Sequence, residues 1–339
     1  MDSSMKSKRL FWLGLLLVSF FGLWGNGQKA VAQSIENIRI ESDYRKVRLT
    51  YDLLQGNGNG LPMDVSVVFR TASGRSIVPS KMLGDYLQVF PGREKVLEWD
   101  AYGELGDFSG ELYAEFSLIT KKFKCGQDVV KDVNGNSYRT IQIGAQCWTQ
   151  TNLKVSKYRN GDIVPTGLNN NDWGSTTSGA YAIYNNDPVN DGLYGKLYNH
   201  YAVTDSRGLC PTGWHVPSER EWNILVKYLD PNADTVCFGC WQSNIAGGMM
   251  KSTAMQPTPG GWQSPNTGAT NSSGFTALPG GLRNGNGDFG TMATNGYWWS
   301  SSDVSGSDAW NRLLYTNYSD FNRISYGRAD GFSVRCCRD

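Results

Sequence analysis

The sequence is short of histidine and of net charge, and its first third has no cysteine. Its 339 residues hold 2 His, a formal net charge of +1 and 19% charged residues. A balance this even gives no electrostatic case for nucleic acid or an anionic membrane surface as partner. A histidine-rich metal site is excluded, and any imidazole base must be His200 or His215. No Gly-x-Ser-x-Gly elbow supports a serine hydrolase. No cysteine precedes Cys125, so the first third cannot hold an inter-sheet disulfide and offers no thiol for a lipid anchor. Beyond Leu23 no apolar run is long enough to cross a bilayer as a helix.

What stands at the start is a targeting segment, residues 1–32. Lys6, Lys8 and Arg9 make a basic n-region, Leu10 to Leu23 an apolar run, and Ala30-Val31-Ala32 a small-residue cleavage site. Cleavage there exports the rest of the chain with no transmembrane segment left; an uncleaved signal anchor is the alternative. Residues 33–121 then alternate. Val47, Leu49, Tyr51 and Leu53 point one way and Arg48, Thr50 and Asp52 the other; Val65, Val67 and Phe69 repeat the pattern, as do Leu112, Ala114, Phe116 and Leu118. Glycine-rich turns separate the runs. The spacing predicts a small all-β sandwich of immunoglobulin or fibronectin type, with Trp99 as its core aromatic, in the role of spacer or contact module.

Residues 122–339 read differently. Forty Gly with 12 Trp and 17 Tyr in the chain imply a turn-rich body that leans on aromatics. Val129 to Val133, Asn134-Gly135 and Ser137 to Ile143 predict a hairpin, a reading preferred to a calcium loop at Asp132 because no Glu closes such a loop. The strongest local signal is Cys210 to Leu229. Pro217 keeps its approach extended, Ser218 and Glu221 form a capping box, and Trp222, Leu225, Val226 and Leu229 make one apolar stripe before Asp230-Pro231 ends the helix. Ala246 to Lys251 is a second short helix.

Several blocks follow one another in order: Tyr138, Ile143-Gly144 and Trp148; Asn152-Leu153; Gly195 to Asn199; Cys210 to Ser218 with Glu221-Trp222; Gly274 to Gly281; Gly296 to Ser301; and Ser333 to Cys336. This arrangement resembles the Fibrobacter succinogenes major paralogous domain. His200 departs from it, standing where the family commonly has an aromatic. The resemblance implies an α+β, C-type-lectin-like fold with two short helices and irregular loops, related to the formylglycine-generating enzymes. It also implies an exported or surface protein of Fibrobacter or Bacteroidetes-type bacteria.

Export makes disulfides the expected state of the cysteines. If Phe332 and Val334 face the core on the last strand, Cys336 does too and Cys337 points outward. Cys210 is therefore paired with Cys336, Cys125 with Cys147 across the hairpin, and Cys237 with Cys240 as a local clip, leaving Cys337 unpaired. The clip is preferred to a redox pair, which lacks its βαβ context, and to a zinc site made with Cys336 and Cys337.

For function, His200 and His215 read as structural groups, and the acids Asp172, Asp187, Asp191, Asp288 and Asp303 lie in turns, which suits solvation or ion binding more than paired-carboxylate chemistry. No catalytic residue is assigned. The aromatic surplus, which includes Trp241, Tyr315 and Tyr318, suits sugar rings beside amides and carboxylates, although more than half of these rings are expected in the core. Trp173, Tyr297, Trp298, Trp299, Asp303 and Trp310 are the candidate ligand contacts. One of the adjacent Trp298 and Trp299 is expected to face outward. No cofactor is predicted; Ca²⁺ is the candidate ion. The expectation is an exported, non-catalytic protein binding a glycan or a cell-surface protein. The alternatives are an extracellular enzyme related to the formylglycine-generating group and a structural subunit of a surface layer.

Overall fold

Alternating sequence makes a strand where one face of a sheet meets a core and the other meets water. The computed structural model describes residues 34–43, 45–54, 63–87, 89–106, 111–119 and 123–339, and its first third follows that rule. Strands β1 (Ser34–Ser42), β2 (Val47–Leu54), β3 (Asp64–Thr71), β4 (Ser76–Ile77), β5 (Met82–Gly84), β6 (Gly92–Trp99) and β7 (Leu112–Ile119) form two antiparallel sheets, ordered β1-β2-β6-β5 and β4-β3-β7. Val47, Leu49, Tyr51 and Leu53 of one sheet and Val65, Val67, Phe69, Ala114 and Phe116 of the other are buried in a single core. Phe69 stacks on Trp99 across that core, ring centroids 4.5 Å apart. The targeting segment expected over residues 1–32 lies outside the described residues, as do the glycine-rich turn at 56–60 and the lysines at 121–122. The chain divides into two compact units, the first ending at Lys122 and the second running Phe123–Asp339.

The second unit is also mostly β. Its strands are β8 (Val129–Lys131), β9 (Ser137–Ile143), β10 (Gln146–Thr149), β11 (Tyr181–Ala182), β12 (Leu197–Asn199), β13 (Trp214–His215), β14 (Cys240–Ser243), β15 (Leu282–Arg283), β16 (Phe289–Gly290), β17 (Asn295–Asp303), β18 (Asp308–Tyr315), β19 (Phe321–Gly327), β20 (Gly331–Phe332) and β21 (Cys337–Arg338). They make three antiparallel sheets, ordered β13-β21-β10-β9-β8, β11-β12-β20-β15-β16 and β14-β19-β18-β17. Two of its helices position the sites discussed below, α1 (Glu219–Leu229) and α2 (Ala246–Met250).

Helix α1 begins where its cap dictates. The Ser218 side chain accepts from the Glu221 N–H, and the Glu221 carboxylate accepts from the Ser218 N–H at 2.8 Å. Trp222, Leu225, Val226 and Leu229 are all buried, with Trp222 4.7 Å from Trp148 and 5.9 Å from Phe275. Helix α2 packs so closely on the loop after β18 that a Cβ on Gly247 would sit 2.0 Å from the Asp320 carbonyl, an approach open only to glycine. Three disulfides close the unit: Cys125–Cys147, Cys210–Cys336 and Cys237–Cys240, with Cα separations of 5.8, 5.9 and 5.9 Å.

Strand β17 lies between two cores. Tyr297 and Trp299 enter one, with Trp214, Phe332, Val334 and Cys336; Trp298 enters the other, with Trp148, Trp222 and Phe275. Two expectations fail for this reason. Neither Trp298 nor Trp299 faces solvent, at 1% and 0% exposure. Cys337 is not outward either: it is a free thiol buried in the second core while Cys336 enters the first. In a strand covered on both sides, alternation selects which core a side chain joins.

Candidate functional site

The aromatic residues singled out as ligand contacts are core residues. Trp173 is fully buried beneath the Arg283 guanidinium, 4.4 Å from its ring. Tyr297 stacks on Phe332 at 5.0 Å. The indole N–H of Trp298 donates to Asn152 Oδ1 at 2.9 Å, and that of Trp299 to the Tyr198 carbonyl at 2.7 Å. Trp310, 8% exposed, is covered by Arg323, 3.5 Å from the ring, and by Phe238. None of these five offers a face to a ligand. A unit with short strands and long loops holds its loops by burying large rings, and that demand takes them first.

Asp303 is half-exposed, 3.5 Å from His200 Nδ1 and 3.5 Å from Arg328. The His200 ring is buried against Trp299 and its Nε2 faces the Ser300 carbonyl at 3.0 Å. Burial pushes its pKa down to about 4, so it is neutral at ordinary pH. An imidazole with no exposed edge cannot reach a substrate proton. The turn acids are used locally. Asp187 caps the N–H of Val189, Asp191 pairs with Lys196 at 2.6 Å, and Asp288 accepts from Asn170. Both oxygens of Asp132 are taken by Asn134, Asn136 and the Tyr138 hydroxyl.

Several of the unit's solvent-facing aromatics lie at the β14 edge of its sheet, while Tyr228 stands exposed on α1. Trp241 and Tyr318 are 48% and 47% exposed and meet edge to face with centroids 4.9 Å apart. Tyr315 adjoins Tyr318 at 6.0 Å, and Phe238, Ile245 and Val236 are exposed nearby in sequence. The strand carries a register shift between Trp241 and Ser243 where it pairs with β19, and such a bulge re-aims an edge side chain.

The rim is braced from below. Lys251, fully buried, donates through Nζ to the carbonyls of Thr267, Tyr315 and Tyr318 at 2.8, 3.0 and 2.8 Å; burial pulls its pKa down to about 8. Ser319 Oγ donates to the Asn244 carbonyl at 2.6 Å, and Arg323 donates to the Cys237 carbonyl in the clipped loop. Trp241 and Tyr318 stand in the sequence among the surplus aromatics. The bracing Lys251 gave no signal there, because a lysine beside Met249-Met250 reads as a solvated helix end.

A second interior assembly joins blocks far apart in the chain. Asn152 Oδ1 accepts from Trp298 Nε1 and, at 2.7 Å, from Arg335 Nε, while its Nδ2 donates to the Tyr194 carbonyl and Ser333 Oγ. Arg335 also reaches the carbonyls of Thr149, Phe275 and Thr276. Residues from four of the sequence blocks thus meet around Asn152 and Arg335, which makes that signature a fold-holding one. His215 lies elsewhere, its ring nitrogens 2.6 Å from Asp339 and 2.7 Å from Glu221. The Glu221 hydrogen bond leads in raising its pKa to about 9.

No curated protein and no solved structure matches this chain. A family model does. Residues 141–338, more than half of the chain, match the Fibrobacter succinogenes major domain, and the chain belongs to that family.

Proposed function

We propose that the protein is an exported, non-catalytic binding protein that holds a glycan against the rim formed by Trp241 and Tyr318, in adhesion or envelope assembly. In this reading the first unit is an immunoglobulin-like spacer and the second a C-type-lectin-like receptor body. Its two-sheet core supports the first assignment, and its short strands, long loops and disulfides support the second. The observation that carries the function is the exposed ring pair on a braced edge. Two flat faces at a fixed angle suit the C–H faces of a sugar, and a rim held by a buried lysine loses little freedom on binding.

The test is retention of the full chain on a glycan array, with Trp241→Ala and Tyr318→Ala as variants and product analysis of the retained glycans. Retention without turnover, weakened at least tenfold in either variant, is the expected result. Equal retention of both variants would remove the rim from the account, and turnover would replace the binding protein with an enzyme.

A further inference from the structure

One cluster in the second unit is used neither by the fold-holding network nor by the aromatic rim. The antiparallel pairing of β13 with β21 sets His215 opposite Cys337. The first turn of α1 brings Glu221 to the same point. One imidazole nitrogen, one carboxylate oxygen and the thiol sulfur lie within 4.8 Å of one another. We propose that His215, Glu221 and Cys337 bind one transition-metal cation of borderline softness, Zn²⁺ foremost.

The donors fit that class of ion. A thiolate, an imidazole and a carboxylate oxygen are a zinc set, whereas calcium and magnesium take oxygen alone. Tetrahedral zinc with bonds of about 2.0–2.3 Å holds its ligand atoms about 3.3–3.8 Å apart, within the span of this cluster. Two of the three ligands are also held from behind. His215 Nδ1 is 2.6 Å from the Asp339 carboxylate, which leaves Nε2 for the metal; a carboxylate on the far nitrogen is the usual support of a ligating histidine. Glu221 gives Oε2 to the Ser218 N–H and hydroxyl at 2.8 and 2.7 Å, leaving Oε1 turned toward His215. The capping box of α1 is therefore also the brace of a ligand.

Cys337 is the cysteine left out of the three disulfides, and it is buried rather than offered to another chain. On binding, the thiol proton and the proton between His215 Nε2 and Glu221 leave as the dication enters, so the formal charge of the cluster does not change. The three side chains leave a fourth position to water or to a ligand atom. His215 and Glu221, with side chains 37% and 24% exposed, give the ion its entry.

The experiment is a Co²⁺ titration of untagged, chelator-treated full chain, followed by displacement with Zn²⁺. The expected result is one equivalent of cobalt with a near-ultraviolet thiolate-to-cobalt band, bleached by zinc. Cys337→Ser should abolish that band. His215→Gln, at a partly exposed position that tolerates the change, should weaken cobalt binding at least tenfold with an unchanged circular dichroism spectrum. A wild-type chain without the band, or a His215→Gln chain that binds as tightly as wild type, would overturn the proposal.

Discussion

The three disulfides close loops of very different length inside one unit, which makes them a test of what a crosslink does. Their sequence separations are 126 for Cys210–Cys336, 22 for Cys125–Cys147 and 3 for Cys237–Cys240. If each bond acts by restricting the unfolded chain, loop-closure entropy gives about 5, about 3.4 and about 2 kcal/mol in that order at room temperature. Cys210 and Cys336 are also buried, so replacing both by alanine adds some lost packing to the first figure. The measurement is equilibrium urea unfolding of the full chain, followed by tryptophan fluorescence, for the three paired Cys→Ala variants. Stability should fall most for C210A/C336A and least for C237A/C240A, a spread of about 3 kcal/mol. The slope with urea should rise in the first variant, because its unfolded chain exposes more surface. Equal losses in all three, or a loss under about 1 kcal/mol for the longest loop, would show that chain entropy is not what these bonds supply.

Two further predictions concern buried charge. His200 is neutral in the folded unit, with a pKa lowered to about 4 from 6.5 by burial, while nearby Asp303 raises it and Arg328 lowers it. The unfolded chain takes up that proton first as pH falls, so stability is full above about pH 6.5 and is lost toward pH 4, by about 3 kcal/mol. Thermal melts across this range should be steeper for wild type than for His200→Gln; parallel curves would refute the assignment. Glu219 accepts two bonds from fully buried Arg312, at 2.8 and 2.9 Å, and one from Arg323 at 2.5 Å. Glu219→Gln should cost about 3–5 kcal/mol in urea unfolding, because it strands a buried guanidinium. Glu98→Gln, at the exposed pair with Lys46, should cost less than about 1 kcal/mol.

What was legible in the sequence was local. The cap, stripe and stop of α1 all lie between Ser218 and Pro231, so short-range rules suffice for Ser218, Glu221 and Trp222. The hairpin at Asn134-Gly135 was legible for the same reason. The interior polar assemblies were not. Arg283, Arg312 and Arg335 are fully buried, yet in the sequence each looks like a surface residue. Their partners are remote: Asn152 for Arg335, Glu219 for Arg312 and the Leu168 carbonyl for Arg283. Nothing in the spacing of residues that far apart announces that they meet. The candidate site moved for a related reason. Composition tells that a loop-rich unit is full of aromatics, but which ring is left at the rim depends on sheet order, and β14 is an edge strand only once β19 has paired with it.

The adjacent tryptophans of β17 bring this to a measurable point. On a half-buried strand, consecutive side chains differ sharply in what their truncation costs, because one leaves a core and the other leaves water. Here Trp298 and Trp299 enter opposite cores, and each indole N–H has its own buried acceptor. Trp298→Phe and Trp299→Phe each remove a buried hydrogen bond and leave a void of part of a ring. Each should therefore cost about 2–4 kcal/mol in urea unfolding. Trp241→Phe, at the exposed rim, should stay within about 0.5 kcal/mol of wild type. A large cost at one of the two neighbours and a negligible one at the other would mean that β17 has a solvent face after all. The proposed binding surface would then have to be sought there instead of at the β14 edge.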